Sequence, residues 1–435
     1  MLRLIGVVGL LGGLTLLAGG ADPPAKAPEP LPIEKLVGQL GDRSFRVREA
    51  AGRALEARGE EALPVLRQAL AAADPEARRR LEVLTERIER TVLLTPRRVT
   101  LALESKPAKD VVAEIAKQTG YKLHWQGNDQ TRLSLDLKNA TYWEALEKVL
   151  NDTGATLNMD DQSGGIHLYQ QDVHSPYYHH NGAFRFQAMN FQYNRFVNLM
   201  NLPRNGQNQD QQNTNLYFGF QVQAEPKAPL VGIGEPRLLK AEDENGLSLV
   251  PVQNEASYVT RYYENGGFRN FSYQTQVNLG RPSKDATRAK LIKGRLPVIL
   301  LASTRPELTL AKLAKGQKAQ SAAVELELED VQEQNKQYFL TMTIKRFERH
   351  AEADPNWANC VWQRLELHDA KGRKYLAQGP NNFINGSPTV VQASFQFAPP
   401  PAPEGKIGEP VKLIYNHWVT LSHEVEFEFH DVPLP

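Results

Sequence analysis

The chain has 435 residues, of which 51 are basic, 50 acidic and 41% apolar. Its length predicts roughly three domains and its apolar share suffices for real cores, while the near cancellation of charge excludes a whole-protein field that draws it to nucleic acid or an anionic membrane. Cys360 is the single cysteine, so no intrachain disulfide can form; with no catalytic motif beside it, the thiol reads as structural.

In chain order, Arg3 precedes an uncharged apolar run from Leu4 to Ala18, followed by Gly19, Gly20 and Ala21. This reads as a secretory signal peptide over 1–21, with an uncleaved anchor as the alternative. No cysteine stands at the cleavage site to take a lipid, and no later run is long and apolar enough to span a membrane. Residues 22–32 are rich in proline and alanine and form an extended linker.

Residues 33–94 then show helical stripes: Ile33 to Leu40; Val47, Ala50, Ala51, Ala54 and Leu55; Leu63, Leu66 and Leu70; Ala77, Leu81, Leu84 and Ile88. Asp42, Gly59 and Asp74-Pro75 punctuate them as caps and turns. Short helices joined by short turns resemble HEAT repeats, here about two pairs, fewer than a free-standing solenoid needs. The arginines, Arg78, Arg79 and Arg80 among them, suggest nucleic acid, but residues 33–92 hold 12 basic and 11 acidic side chains interleaved. A solvated, ion-paired face accounts for them better.

Residues 97–171 repeat themselves at a spacing of 34. Val99, Leu101 and Leu103 share a strand face, as do Leu133, Leu135 and Leu137. A helix follows each: Val111, Val112, Ile115, Ala116 and Thr119 in the first copy, Ala145, Leu146, Val149 and Leu150 in the second. Gly120 and Gly154 stand where a left-handed residue ends a helix, and short apolar runs follow, Tyr121 to Trp125 and Ala155 to Met159. Gly164-Gly165 turns into a last strand, Ile166 to Tyr169. A period of 34 also fits tetratricopeptide helical pairs, but those contain no alternating strand.

The run Leu135 to Leu146, with Thr153-Gly154 and Gly165-Ile166-His167-Leu168, resembles the short N-terminal domain of secretins and TonB-dependent receptors. The resemblance implies a periplasmic module that binds envelope proteins and has no catalytic residues. No secretin channel or barrel segment follows it, which speaks against transport. Trp143, with its neighbour Tyr142, lies beside the buried helix stripe as the candidate partner contact; packing at the stripe's edge is the other reading.

From Phe184 onward the pattern is of strands: 184–186, Leu216 to Val222, Phe271 to Leu279, Val324 to Leu328, Tyr338 to Ile344 and Val425 to Phe429. Asp243-Glu-Asn-Gly246 and Asp369-Ala-Lys-Gly372 repeat one turn at a shift of 126, each after an apolar strand. Two related antiparallel sandwiches are expected, 172–289 with an Asn/Gln-rich loop at 201–215, and 290–435, joined near Lys290 to Leu296. They resemble tandem immunoglobulin-like sandwiches of exported bacterial proteins. The expected fold class is thus multi-domain α+β: a short HEAT-like helical segment, a small split βαβ repeat domain and two sandwiches.

Candidate chemistry is sparse. His174, His179 and His180, near His167, offer imidazoles to a metal but lack the spacing of a strong site, and a polar aromatic loop is the plainer reading. Glu325, Glu327 and Glu329, like Glu424, Glu426 and Glu428, alternate with apolar residues and each set lines a strand face. Tyr177, Tyr178, Trp357, Trp362 and Trp418 could stack on sugars or fill cores. With no phosphate loop, nucleophile elbow, HExxH or dinucleotide fingerprint, the sequence points to a non-enzymatic exported envelope protein without cofactor, in the periplasm or at the cell surface, that docks envelope proteins. The alternative is a cell-surface polysaccharide-binding or polysaccharide-processing protein using sandwich aromatics or carboxylates.

Overall fold

A computed structural model describes residues 31–72, 74–160, 165–171, 175–195, 214–251, 269–347, 357–387, 389–400 and 407–435. The signal segment, most of the linker, His174 and the Asn/Gln-rich segment before Thr214 lie outside them. The described chain is mostly β, with several sheets and few helices, and divides into two compact units at Glu86/Arg87.

The first unit is helical: α1 (Ile33–Gln39), α2 (Phe45–Arg58), α3 (Leu63–Ala72) and the start of α4 (Pro75–Leu94). The caps are those the sequence indicates. Asp74 Oδ1 accepts from the backbone N–H of Glu76 and Ala77 at 3.0 and 3.1 Å ahead of Pro75, and Gly59 closes α2 at φ 56°. Ala51, Leu55, Leu63, Leu66 and Leu81 are buried.

In the second unit the 34-residue repeat is written in the backbone. β1 (Arg98–Pro107), α5 (Ala108–Thr119) and β2 (Lys122–Trp125) are followed by β3 (Arg132–Thr141), α6 (Tyr142–Thr153) and β4 (Ala155–Asp160), then β5 (Gly165–Gln170). The burial patterns of β1 and β3 differ only at Lys106 against Ala140. Ser105 and Asn139 both take positive φ, 46° and 54°, as do Gly120 and Gly154. The Ala108 N–H donates to the Thr131 carbonyl and the Tyr142 N–H to that of Arg97, both at 2.8 Å. β1 pairs antiparallel with β3, and β2-β5-β4 form a second small sheet.

The remainder contains β6 (Tyr178–Asn181), β7 (Phe184–Arg195), β8 (Thr214–Ala224), β9 (Leu230–Ile233), β10 (Arg237–Asp243), β11 (Ser272–Leu279), β12 (Arg288–Leu310), β13 (Gln317–Gln320), β14 (Val324–Gln334) and β15 (Gln337–Arg346). After these come α7 (Trp357–Cys360), β16 (Leu365–Asp369), β17 (Leu376–Gly386), β18 (Val390–Ala398) and β19 (Pro410–Pro433). The expected strands fall within β7, β8, β11, β14, β15 and β19, except that Phe271 stands one residue ahead of β11.

The two β regions are not consecutive segments. β12 and β19 pair over nearly their whole length, Arg288 opposite Pro433 at one end and Leu310 opposite Leu413 at the other. Near the first end, Ile292, Leu296, Val425, Phe427 and Phe429 share a core with Phe218 and Phe220 of the sheet β11-β8-β7-β6. Near the other end, Leu308, Leu310, Leu413 and Tyr415 share a second core with Leu326, Met342 and Phe395 of the sheet β13-β14-β15-β18-β17. The expected division at 289/290 therefore needs correction: β12 runs through it unbroken, and the last strand returns to close the first core.

The shift of 126 is structural as well. Each Asp-x-x-Gly turn ends a strand that flanks the central ribbon, β10 beside β12 and β16 beside β19. Asp243 Oδ1 accepts from the N–H of Asn245 and Leu247, and Asp369 Oδ1 from those of Lys371 and Arg373. Gly246 and Gly372 both carry positive φ. Burial pushes the Asp369 carboxyl upward, but N–H donation from Gly408 and Arg373 and the Arg373 guanidinium outweigh it, holding the group well below the usual carboxylate range.

Candidate docking module and its clamp

The repeated helices differ on one face, and the difference sets how the module is held. The position of Lys109 and Ala113 in α5, both exposed, is taken in α6 by Trp143 and Glu147, both buried. The extra buried face of α6 lies on the start of the β6–β7 hairpin. Trp143 Nε1 donates to the Ala183 carbonyl at 3.0 Å. Glu147 receives Arg185 Nε at 2.6 Å and Nη2 at 3.2 Å, while Arg185 Nη1 donates to Gln223 at 2.7 Å and Gln187 at 2.8 Å.

This network satisfies the guanidinium in a region sealed from solvent, where an unpaired charge is costly. Burial raises the Glu147 carboxyl, but hydrogen bonds from His180 and Arg185 and the guanidinium charge outweigh it and leave it below the ordinary range. A second contact lies nearby in sequence to β8. Glu225, fully buried, accepts from the Tyr121 hydroxyl at 2.6 Å and from the Arg97 N–H, with Lys227 at 3.7 Å. Burial dominates there and raises the Glu225 carboxyl, more than Tyr121 and Lys227 lower it.

Trp143 and Tyr142, the candidate partner contacts, are both fully buried within the chain. Their docking role requires correction: Trp143 binds the chain's own hairpin, because the ring's N–H finds its acceptor at Ala183 and the rest packs in the module's core. Among the described residues the buried Tyr142 hydroxyl has no hydrogen-bond partner. Glu147 and Arg185 were not singled out from the sequence, although the asymmetry between repeats, Ala113 against Glu147, marks the position.

The metal candidates are dispersed. His174 lies outside the described residues; His180 Nε2 sits 3.4 Å from Glu147 and its ring stacks on Tyr178. His179 lies against Phe186, and burial lowers its pKa ahead of any neighbouring charge. No group of three or more metal-ligating side chains occurs among the described residues.

Most of the aromatics and carboxylates of the polysaccharide alternative are occupied otherwise, while Glu424 is exposed and Tyr177 and Tyr178 are half-buried. Trp357 is buried and donates to the Tyr415 hydroxyl at 2.9 Å, Trp418 is buried under the Arg364 guanidinium, and Trp362 packs half-buried on the second core. Glu325 and Glu327 pair with Lys345 and Lys318, and Glu426 and Glu428 with Arg295 and Lys293. Cys360 is fully buried.

No protein-family model matches the chain, and no curated protein matches it significantly. Among solved structures it is similar to the conserved domain protein from Bacillus anthracis, at 8% identity and a TM-score of 0.16, over 57% of this chain and 88% of that one. A likeness at that score carries no argument.

Proposed function

We propose that this chain is a non-enzymatic exported envelope protein with a scaffold role, docking protein partners through the helical segment and the βαβ module. In this reading residues 33–94 are a HEAT-like helical segment, 97–171 a module of the secretin and TonB-receptor short-domain kind, and the β regions immunoglobulin-like sandwiches sharing the β12–β19 ribbon. The observation that carries it is the β1–β3 ladder. It is two strands wide and pairs with no third strand among the described residues; the Gln118 amide caps β1 at Thr100, accepting from its N–H and donating to its carbonyl, and an edge without a neighbouring strand is a template for an added one.

The clamp supports the same reading, since a module fixed to a β body by a buried ion pair presents its edges in one orientation. Photo-cross-linkers at Ala102 and Asp136, both exposed, test it in the native envelope. The expected result is one and the same envelope protein captured from both strands and displaced by unlabelled chain. Recovery of no partner from either position would refute the docking role.

A further inference from the structure

The outward face of the sheet β11-β8-β7-β6 has a composition that neither the core nor the clamp explains. Leu216, Phe218, Phe220 and Val222 of β8 point into the first core, so Tyr217, Gly219, Gln221 and Gln223 face outward. The register aligns them in rungs across three strands. Arg185, Gln223 and Ser272 form the rung under α6. Beyond the clamp come Gln187, Gln221 and Gln274, then Asn190, Gly219 and Gln276, then Gln192, Tyr217 and Asn278.

Seven of the nine positions in those three rungs are amides and none is charged. Among the described residues, no hydrogen bond engages the side-chain amides of Asn190, Gln192, Gln221, Gln274, Gln276 or Asn278. A Cβ on Gly219 would stand 2.6 Å from Asn190 Oδ1, so the bare backbone there lets the Asn190 amide lean across the middle rung. A hollow of about 500 Å³ opens over the last two rungs, with exposed Glu235 also lining it, a size within the range of ligand sites.

The sheet β13-β14-β15-β18-β17 of the second β region provides the contrast. Its outward face bears Glu325, Glu327, Glu329 and Asp330 beside Lys318 and Lys345, in cross-strand ion pairs of 2.8 and 3.3 Å. That is an ordinary solvated face. The first face carries amides where this one carries ion pairs, and six of the seven have no side-chain hydrogen bond among the described residues, each amide offering two donors and one acceptor.

We propose that this face is a binding site for an uncharged polysaccharide. Amides match sugar hydroxyls, which both donate and accept, and the Tyr217 ring offers a stacking surface. A polyanion finds no cation in these rungs and meets Glu235, so nucleic acid and acidic polysaccharides are disfavoured. The inference is independent of the docking proposal, which uses other strands.

The test is affinity electrophoresis and titration calorimetry of the full chain against neutral polysaccharides (dextran, galactomannan) and acidic ones (alginate, polygalacturonate). At least one neutral polymer is expected to bind, with an affinity that high salt leaves unchanged. The double variant Gln192→Ala/Gln276→Ala, and separately Tyr217→Ala, should each weaken it about tenfold or more, one to two lost contacts' worth, with the thermal midpoint unmoved. Binding to acidic polymers alone, binding that salt abolishes, variants that bind like the parent, burial of the face in a dimer of the chain, or no binding to any polymer would each overturn the proposal.

Discussion

Glu147 and Arg185 meet at 2.6 Å with side chains 3% and 2% exposed, one on the second helix of the repeat and the other on a strand of the first β region. The pair joins two parts of the chain that the sequence describes separately. Breaking a buried pair from one side strands the other charge, at a cost of about 3–5 kcal/mol. Glu147→Ala should therefore destabilise the second unit by that order in denaturant unfolding, and the paired replacement Glu147→Leu with Arg185→Met should recover most of it. A single variant as stable as the parent would mean that the guanidinium finds other partners.

The same carboxylate sets an acid limit. Because its folded pKa lies below the ordinary range, its contribution is fully present above the unfolded value, about 4.3, and is lost as pH falls through the folded one. Glu225 acts with the opposite sign. Its folded pKa is raised, so the folded state keeps a proton that the unfolded chain releases, and stability falls as pH rises from about 4.3 through the folded value. Glu225→Gln should flatten that second slope when melting is followed from pH 4 to 7; parallel curves for variant and parent would disprove the assignment.

Trp143 and Lys109 occupy equivalent places in the repeat with different surroundings. Trp143→Ala should cost about 3–5 kcal/mol through the cavity it leaves, and Trp143→Phe about 0.5–1.5 kcal/mol, because the Ala183 carbonyl loses one of two donors and keeps the Glu225 N–H at 2.9 Å. Lys109→Ala, on the exposed counterpart face, should stay within about 0.5 kcal/mol. Equal effects of the alanine variants in chemical unfolding would contradict the asymmetry.

Gly294 sits in β12 beneath the Phe427 ring. A Cβ there would collide with that ring and stand 2.5 Å from the Arg237 carbonyl oxygen, and neither the backbone nor a ring inside the first core can yield cheaply. Gly294→Ala is expected to cost about 1–3 kcal/mol, measured as a lowered denaturation midpoint.

A chain ending at Ser422 would lose Val425, Phe427, Phe429 and Val432 from the first core but keep Leu413 and Tyr415 in the second. Amide exchange should then become fast in β7 and β8, more than two hundred residues upstream, while β14, β15 and β18 stay protected. Persistent protection of β7 and β8 would show that the first β region closes without its last strand.

Much of the local structure was legible from residues alone. Strand alternation, the Thr-Gly helix ends, the Asp74-Pro75 cap and both internal repeats depend on neighbours a few positions apart, and the backbone follows them down to matching positive φ at Ser105 and Asn139. Partnership between distant segments was not legible. Sequence periodicity shows that Trp143 lies at the edge of an apolar stripe, but only the fold brings Ala183 to its N–H and Arg185 to Glu147, converting an expected outer contact into an inner one. The boundary at 289/290 was misplaced for a related reason: a strand's own residues do not record that it is long enough to serve two cores. The amide rungs likewise arise from register, which places side chains of β7, β8 and β11 side by side although β8 ends at Ala224 and β11 begins only at Ser272. Local pattern determined the elements; long-range pairing decided which of their faces were left open.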